Sequence, residues 1–535
     1  MPVAPTYPGV YVEEVPSGVR TIVGVATSIT AFVGFARRGQ IDDPVRIQSW
    51  GEYERMFGGL WEPSTMSYAV QQYFANGGAD AIIVRVAPRT PARAASTAVL
   101  TIGADTAALT LEAASPGSWA NGIRVRIDHH TREPGPGERE DELFNVSAYE
   151  SDSGAREEFR NVSAVAEHAR FVQRVLEQQS DLLRAASVGS ERPDPHADPD
   201  AGVDALERGD PATHFNEFPV ADADGAGTDG AHQASDLEGS EAGKTGIFAL
   251  LDADIFNLLC VPPVTREAGL RPEFVASAAR LCAEQRALLL VDSPPGWTDV
   301  AAARAGIDGD GSGDFAIADR RNAAMYFPWI EAPDPLREGA NETFPPCGAV
   351  AGVIARTDAE RGVWKAPAGQ DATLAAVSGL SVALTDGENG QLNPLGLNCL
   401  RTLPGAGHIV WGARTLDGAD RNASEWKYLP IRRLALYIEE SLYRGTRWAV
   451  FEPNDEPLWS QLRLNVGTFM HDLFRQGAFQ GANAREAYFV KCDSETTTQS
   501  DRNRGIVNVL IGFAPLKPAE FVILKIGQIA GTPQL

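Results

Sequence analysis

The chain has 535 residues, which at ~100–200 residues per domain indicates roughly three to four domains. Its 47 Lys and Arg against 71 Asp and Glu leave a net charge of −24, a poor match for duplex nucleic acid or an anionic membrane surface. Hydrophobic residues make up 44%, enough for ordinary globular cores, yet no apolar run reaches the ~20 residues of a membrane-spanning helix.

The first 30 residues are β-like and rich in Val and Ile, but Pro5, Pro8 and Pro16 interrupt them. Proline cannot donate to a ladder, so this stretch reads as an edge strand or an extended arm. The opening MPVAPTYPGVYVEE carries no basic patch followed by an apolar run, so no signal peptide is expected. ITAFVGFA then reads as a buried strand, and Ser64 or Thr65 caps a helix through Tyr68, Val70, Tyr73 and Phe74 that stops at Gly77. AIIVRV (Ala81–Val86) is a strand. TAVLTI, ALTLEA, IRVRID and LFNVSAYE follow as short strands, with the polar TREPGPGEREDE as a loop. ARFVQRVLEQQSDLLR, from Ala169, reads as a helix.

Between Val188 and Lys244 the chain carries 14 acidic against 3 basic residues, a net of −11. Few large apolar residues lie there to offset the entropy of ordering, so an exposed, mobile insertion is expected. Beyond it IFNLLCVP, ALLLVD and AAMYFPWI alternate with the helix PEFVASAARLCAEQ, which implies a mostly parallel sheet. Pro430 opens the helix IRRLALYIEESLYRG, with Ile431, Leu434, Ala435, Ile438 and Leu442 on one face and Arg432, Arg433, Glu440 and Arg444 on the other. Asn454 or Asp455 caps a second helix, with Pro457 in its first turn and Leu462, Val466, Phe469, Met470 and Leu473 along its apolar face. Two strands, GIVNVLIGF and EFVILKIGQI, close the chain. The last is apolar on both faces and wants cover on both. It and the N-terminal stretch either pair within their own domain or add to a sheet of a neighbouring copy.

Candidate chemistry is sparse. The five cysteines (Cys260, Cys282, Cys347, Cys399 and Cys492) show no C-x-x-C spacing, so neither a zinc site nor a disulfide framework is indicated, and a reducing cytoplasm is the plain expectation. SEAGKTG lacks the first glycine of a Walker loop, since residue 238 is Glu238. There is no G-x-S-x-G elbow and no H-x-x-x-H pair among the eight histidines. His129–His130 is a weak metal candidate, and His471 reads as a polar helix-face residue. Asp292, at the end of a parallel strand, reads as a turn former because no His, Lys or metal cluster accompanies it. DGENG, from Asp386, lacks calcium-loop spacing and reads as a turn.

The longer motifs carry a resemblance. PPCGAVAGVIARTDAERGVWKAPAG (Pro345–Gly369), LTDGENGQLNPLGLNCLRTLPGAGHIVWGARTL, EWKYLPIRRLALYIEESL, GTRWAVFEPNDEPLW and CDSETTTQSDRNRGIVNVLIGFAPLKPAEFVILKIGQ occur in that order. PTYPGVYVEEV, ITAFVGFARRG and YFANGGADAIIVRV precede them. Together they resemble the tail sheath proteins of contractile phage tails and of phage-tail-like contractile injection systems. The likeness is close over roughly residues 1–90 and 345–535, looser in the middle, and absent from the acidic insertion.

The resemblance implies a mechanical protein. Copies would stack as helically offset sixfold rings around an inner tail tube, with baseplate and terminator or cap proteins at the ends. Contraction would drive the tube through a target envelope, with no cofactor, metal, nucleic acid or membrane insertion. Assembly would take place in the producing cell's cytoplasm, and an injection system is favoured over a phage. Carried onto this chain, the arms that add strands to neighbours would be Pro8–Val23, with Tyr11, Val12, Val15 and Ile22, and Phe521–Ile529, with Phe521, Val522, Ile523, Leu524 and Ile526. The tube-facing helix would present Arg432, Arg433, Glu440 and Arg444, with the Arg463 and Arg475 helix as its rival. The expected fold is a mixed α/β, multi-domain subunit. Residues 1–30 form an N-terminal arm, 31–90 part of an inner core, 91–187 an outer β domain and 188–245 the insertion. Residues 246–344 form an α/β middle domain, 345–515 the inner core and 516–535 a C-terminal arm. The competing reading is an α/β hydrolase-like enzyme of subtilisin-like fold; the missing Ser/His/Asp constellation counts against it.

Overall fold

The computed structural model describes residues 20–135, 139, 141–307 and 317–524. Its centre is an eight-stranded sheet built from three distant parts of the chain. The strands are β1 (Thr30–Gly34), β2 (Val45–Ile47), β3 (Ala81–Arg85), β4 (Leu258–Cys260), β5 (Leu288–Asp292), β6 (Ala323–Phe327), β7 (Asn398–Leu403) and β8 (Gly407–Val410). Their order is β8-β7-β6-β5-β4-β1-β3-β2. The six inner strands run parallel, and β2 and β8 close the edges antiparallel.

The parallel strands are continuous apolar runs because both faces are covered. In β1, Ala31 and Val33 enter the core beneath the helix α2 (Pro272–Glu284), whereas Phe32 enters the opposite core beneath α1 (Thr65–Ala75) and α3 (Cys347–Arg361). Ser64 caps α1 by accepting from the Ser67 amide, as its sequence signals. Because β1 to β3, β4 to β6 and β7 to β8 share this sheet, the expected separation of 246–344 from the inner core does not hold. Parallel pairing across the switch from β1 to β4 fuses them.

The crossing of α1 and α3 explains the small residues of the CGAVAGV motif. A Cβ on Gly348 would lie 2.1 Å from the Ala69 carbonyl oxygen, and one on Gly352 would lie 2.5 Å from that of Tyr73. Two glycines one turn apart let the helix backbones touch.

A β domain with a core of its own accompanies this sheet. A four-stranded antiparallel sheet includes Arg124–Asp128, Leu143–Glu150 and Ala155–Ser163. A three-stranded sheet comprises Val99–Ile102, Leu109–Ala113 and Leu183–Val188. Together they enclose a core around Trp119, Phe144, Val146 and Leu176. The helix expected from Ala169 is shorter, Val172–Gln179, and its predicted tail turns into the strand Leu183–Val188.

The acidic stretch is not the loose insertion its composition suggests. Asn216–Glu217 pairs with Arg124–Val125, and Leu206, Phe215, Phe218 and Leu237 are buried. Its acids meet arginines of other elements: Asp204 bonds Arg156 at 2.7 and 2.9 Å, Asp198 bonds Arg126 at 2.7 Å and Asp236 bonds Arg93 at 3.1 Å. Paired charge and four apolar anchors offset the entropy of ordering. DGENG is likewise no free turn. It opens the helix Asp386–Leu392, which Thr385 and Glu388 cap reciprocally.

Candidate assembly surface

The C-terminal third forms a face of its own. The helices α4 (Leu429–Gly445) and α5 (Glu456–Arg475) pack with the strands β9 (Tyr488–Lys491) and β10 (Leu510–Phe513) around Leu434, Ile438, Val466, Phe469 and Met470. β9 and β10 pair antiparallel, Tyr488 opposite Phe513 and Lys491 opposite Leu510. Among the described residues no third strand joins them. Phe489 and Leu510 stand exposed on this ribbon. Such an unpaired edge is a template for strand addition.

The two chain ends reach this face differently. Tyr11, Val12 and Val15 lie outside the described residues. From residue 20 the chain follows α4 toward β1. The Arg20 amide donates to Asn465 Oδ1 at 3.2 Å and its guanidinium stacks on Trp448 at 4.6 Å. The Val25 amide donates to Ser441 Oγ at 3.2 Å. Ile22 is buried against Gly445 and the α4–α5 core of its own chain. Its assignment to an inter-subunit strand is therefore corrected: Ile22 anchors the chain from Arg20 to Val25 on the α4–α5 core of its own subunit.

At the other end Phe521, Val522, Ile523 and Leu524 are 72–80% exposed and lie in no strand of their own chain; Ile526 lies outside the described residues. Immediately before them, Glu520 is held by Arg414, whose Nε and Nη2 donate to its two carboxylate oxygens at 2.6 Å each. The Tyr428 hydroxyl adds a bond at 3.1 Å. Burial pushes the Glu520 carboxyl up, but Arg414, Asn393 and Tyr428 outweigh it and hold the group below its ordinary value.

The charged face of α4 is not solvated. Arg432, Arg433 and Glu440 are buried. Arg433 pairs with Asp358, Arg432 bonds Glu439 and Asn322, and Glu440 accepts from Arg286 and Arg444. Arg444 also reaches Asp254. The expectation that Arg432, Arg433 and Glu440 face a tube is corrected, because they are buried against groups of their own chain; Arg444 is partly exposed and paired with Asp254 and Glu440. On α5 the outward face is exposed at Ser460, Leu464, Thr468, His471 and Arg475. Arg463 bends back to Glu456 and the Cys492 carbonyl. Sequence reasoning missed Arg414, Asp358 and Glu520; nothing in their local sequence marks them, since Asp358 sits among Arg356, Glu360 and Arg361 and each partner lies far along the chain.

The residues weighed for chemistry are spent structurally. Asp292 Oδ1 accepts from the Cys347 amide at 2.8 Å, at the start of α3. Burial pushes its carboxyl up to about 7 against that bond. The Lys244 ammonium meets Asp252 in a turn. His129 bonds the Pro193 carbonyl, and burial lowers its imidazole from the ordinary value. Among the described residues no three metal-ligating side chains converge, and no described helix is long and apolar enough to cross a membrane.

Known proteins agree with this architecture. The model of the phage tail sheath protein central domain matches residues 245–416, and that of the phage tail sheath C-terminal domain matches residues 421–529. A prophage major tail sheath protein of Pseudomonas aeruginosa is 28% identical over 300 residues, 54% of this chain and 71% of the relative. The tail sheath protein of Enterobacteria phage T4 is 22% identical over 238 residues, 44% of this chain and 33% of that protein. Two solved structures are similar in fold. The sheath of an extracellular contractile injection system, PVC, in its contracted state has a TM-score of 0.55 at 21% identity, covering 98% of both chains. A sheath tail protein from Listeria innocua has a TM-score of 0.59 at 14% identity, covering 93% of this chain and 96% of that one. With two family models matching more than half its length, the chain belongs to the phage tail sheath family.

Proposed function

We propose that this sheath subunit is a mechanical element that polymerises with copies of itself around an inner tube and shortens by changing how the copies pack. The carrying observation is the tail Phe521–Leu524, apolar and exposed, in a chain that also carries a two-stranded ribbon with no third strand among the described residues. A strand added from a neighbour would satisfy both. Each ladder bond contributes about 0.5–1.5 kcal/mol net, and several in parallel would hold copies together while rigid bodies tilt. Contacts between identical copies that do not close into a ring build a helical tube, and bistable interfaces change its pitch without refolding the subunit.

The names of similar structures support the reading: one is a sheath complex in a contracted state and another is the helical sheath of the anti-feeding prophage. The tube partner would meet the outward face of α5, where Ser460, Thr468, His471 and Arg475 are exposed, rather than that of α4, where Arg432, Arg433 and Glu440 are buried. Baseplate and cap contacts, sixfold stacking, assembly inside the producing cell and the absence of enzymatic activity belong to the same proposal, as does an injection device rather than a phage.

Electron microscopy of the purified full chain tests it. Tubes or stacked rings are expected. A chain lacking Phe521–Leu535 should stay folded and form neither; unimpaired tubes from that truncation would falsify the arm assignment.

A further inference from the structure

The Arg414–Glu520 pair does more than bury two charges. Arg414 is fully buried. Its Nη1 donates to the Asn393 carbonyl at 2.9 Å, the Gly418 carbonyl at 3.2 Å and Asp420 Oδ1 at 2.9 Å. Its backbone is bolted to the central sheet through Asn398 of β7. The Arg414 amide donates to Asn398 Oδ1 at 2.7 Å. Asn398 Nδ2 donates to the Arg414 carbonyl at 2.8 Å and to the Met325 carbonyl of β6 at 3.1 Å. A rigid path thus runs from β6 through Asn398 and Arg414 to the carboxylate of Glu520.

On the chain's own path, Ala514 makes the preceding backbone bonds, donating to the Ala487 carbonyl and accepting from the Gln480 amide. The residues after Glu520 are exposed. Glu520 therefore stands between a linker and the apolar tail as the last anchored side chain among the described residues.

We propose that Arg414 and Glu520 are positioning residues that fix the point and direction at which the C-terminal arm leaves the subunit body, transmitting the orientation of the central sheet to the arm. This rests on the arm reading given under Proposed function. The bidentate fork makes the joint directional, since two parallel bonds fix the carboxylate plane as well as its place. Without the joint, only the Phe479–Pro515 bridge would hold the chain ahead of the tail. At about 3.4 Å per residue, residues 516–520 would add about 17 Å of reach, enough slack for a tilt of the body to leave the neighbour unmoved.

The test uses two measurements on the full chain. The five native cysteines are buried, so spin labels at Asp371→Cys and Ala519→Cys, both exposed positions, report the distance from body to linker. A narrow distribution is expected with Glu520 present, broadening at least twofold in Glu520→Ala and Glu520→Gln and largely restored in Glu520→Asp. Electron microscopy of the unlabelled Glu520 variants should show few tubes, or tubes of irregular pitch, while the melting temperature stays within a few degrees of the parent. Unchanged distance widths in Glu520→Ala would overturn the anchoring. Broadened distances with tubes of parental yield and pitch would overturn the role in assembly. A parent chain that forms no tubes would instead overturn the sheath reading, with the distances still deciding whether Glu520 fixes the exit.

Discussion

Arg433 and Asp358 face each other as a buried bidentate ion pair, Nη1 to Oδ1 at 2.8 Å and Nη2 to Oδ2 at 2.6 Å, each side chain 3% exposed. The same Nη2 donates to the Thr27 carbonyl at 2.8 Å. One guanidinium thus joins α4, α3 and the segment that leads into β1.

Removing one partner leaves the other charge buried alone. Arg433→Ala or Asp358→Ala should cost about 3–5 kcal/mol, read as a lowered guanidinium midpoint with an unchanged slope. The double replacement Arg433→Met with Asp358→Leu should cost clearly less than either single change, because it buries no unpaired charge.

The α1–α3 crossing predicts a contrast between two glycines. Gly348→Ala pushes a methyl into the Ala69 carbonyl and should destabilise by about 1–3 kcal/mol. At Gly387, also helical, a Cβ meets nothing within 4 Å, and Gly387→Ala should be neutral or stabilise by about 0.4–1 kcal/mol. Thermal unfolding of the two variants side by side checks both signs.

Asp292 predicts a pH dependence. Burial raises its carboxyl from an ordinary 3.8 to about 7, so the folded chain holds a proton that the unfolded chain releases. Its contribution to stability is complete below about pH 4 and is lost as pH rises toward 7, on the order of a few kcal/mol in all. Asp292→Asn keeps an acceptor for the Cys347 amide and cannot ionise. Urea midpoints between pH 4.5 and 8.5 should show the parent falling relative to this variant, and parallel profiles would refute the assignment.

The exposed tail predicts a separation of assembly from stability. Ile523→Asp alters a side chain 80% exposed in the lone subunit and should change subunit stability by less than about 0.5 kcal/mol. In a ladder buried by a neighbour the same carboxylate would be unpaired. Tube yield, counted by electron microscopy or sedimentation, should fall at least tenfold.

Much of the fold was legible because its signals are local. The cap at Ser64, the apolar runs of β1, β3 and β5, and the proline at the start of α4 are each read within a few residues. The strands Val99–Ile102, Leu109–Ala113, Arg124–Asp128 and Leu143–Glu150 were legible too, but not Ala155–Ser163, where Arg156, Glu157 and Glu158 run together, nor Leu183–Val188, whose residues continue a helical pattern. At the candidate surface the sequence shows an apolar tail from Phe521, which the structure leaves exposed, but it does not show that Arg432, Arg433 and Glu440 of α4 are buried. An amphipathic pattern places arginines outward unless another element supplies a carboxylate, and Asp358 lies 75 residues away.

By itself, then, the sequence determined the α/β alternation, the family likeness and the surplus of apolar surface at the C-terminal end, since composition and period set what each segment can bury. Only the tertiary structure decided that Ile22 is an anchor, that Arg433 and Glu440 are internal, that arginines draw in the acidic stretch and that Arg414 grips Glu520 across 106 residues. Each outcome depends on a charge or contact supplied from elsewhere in the chain, and whether a polar side chain meets water or a partner is settled by packing, not by its neighbours in sequence.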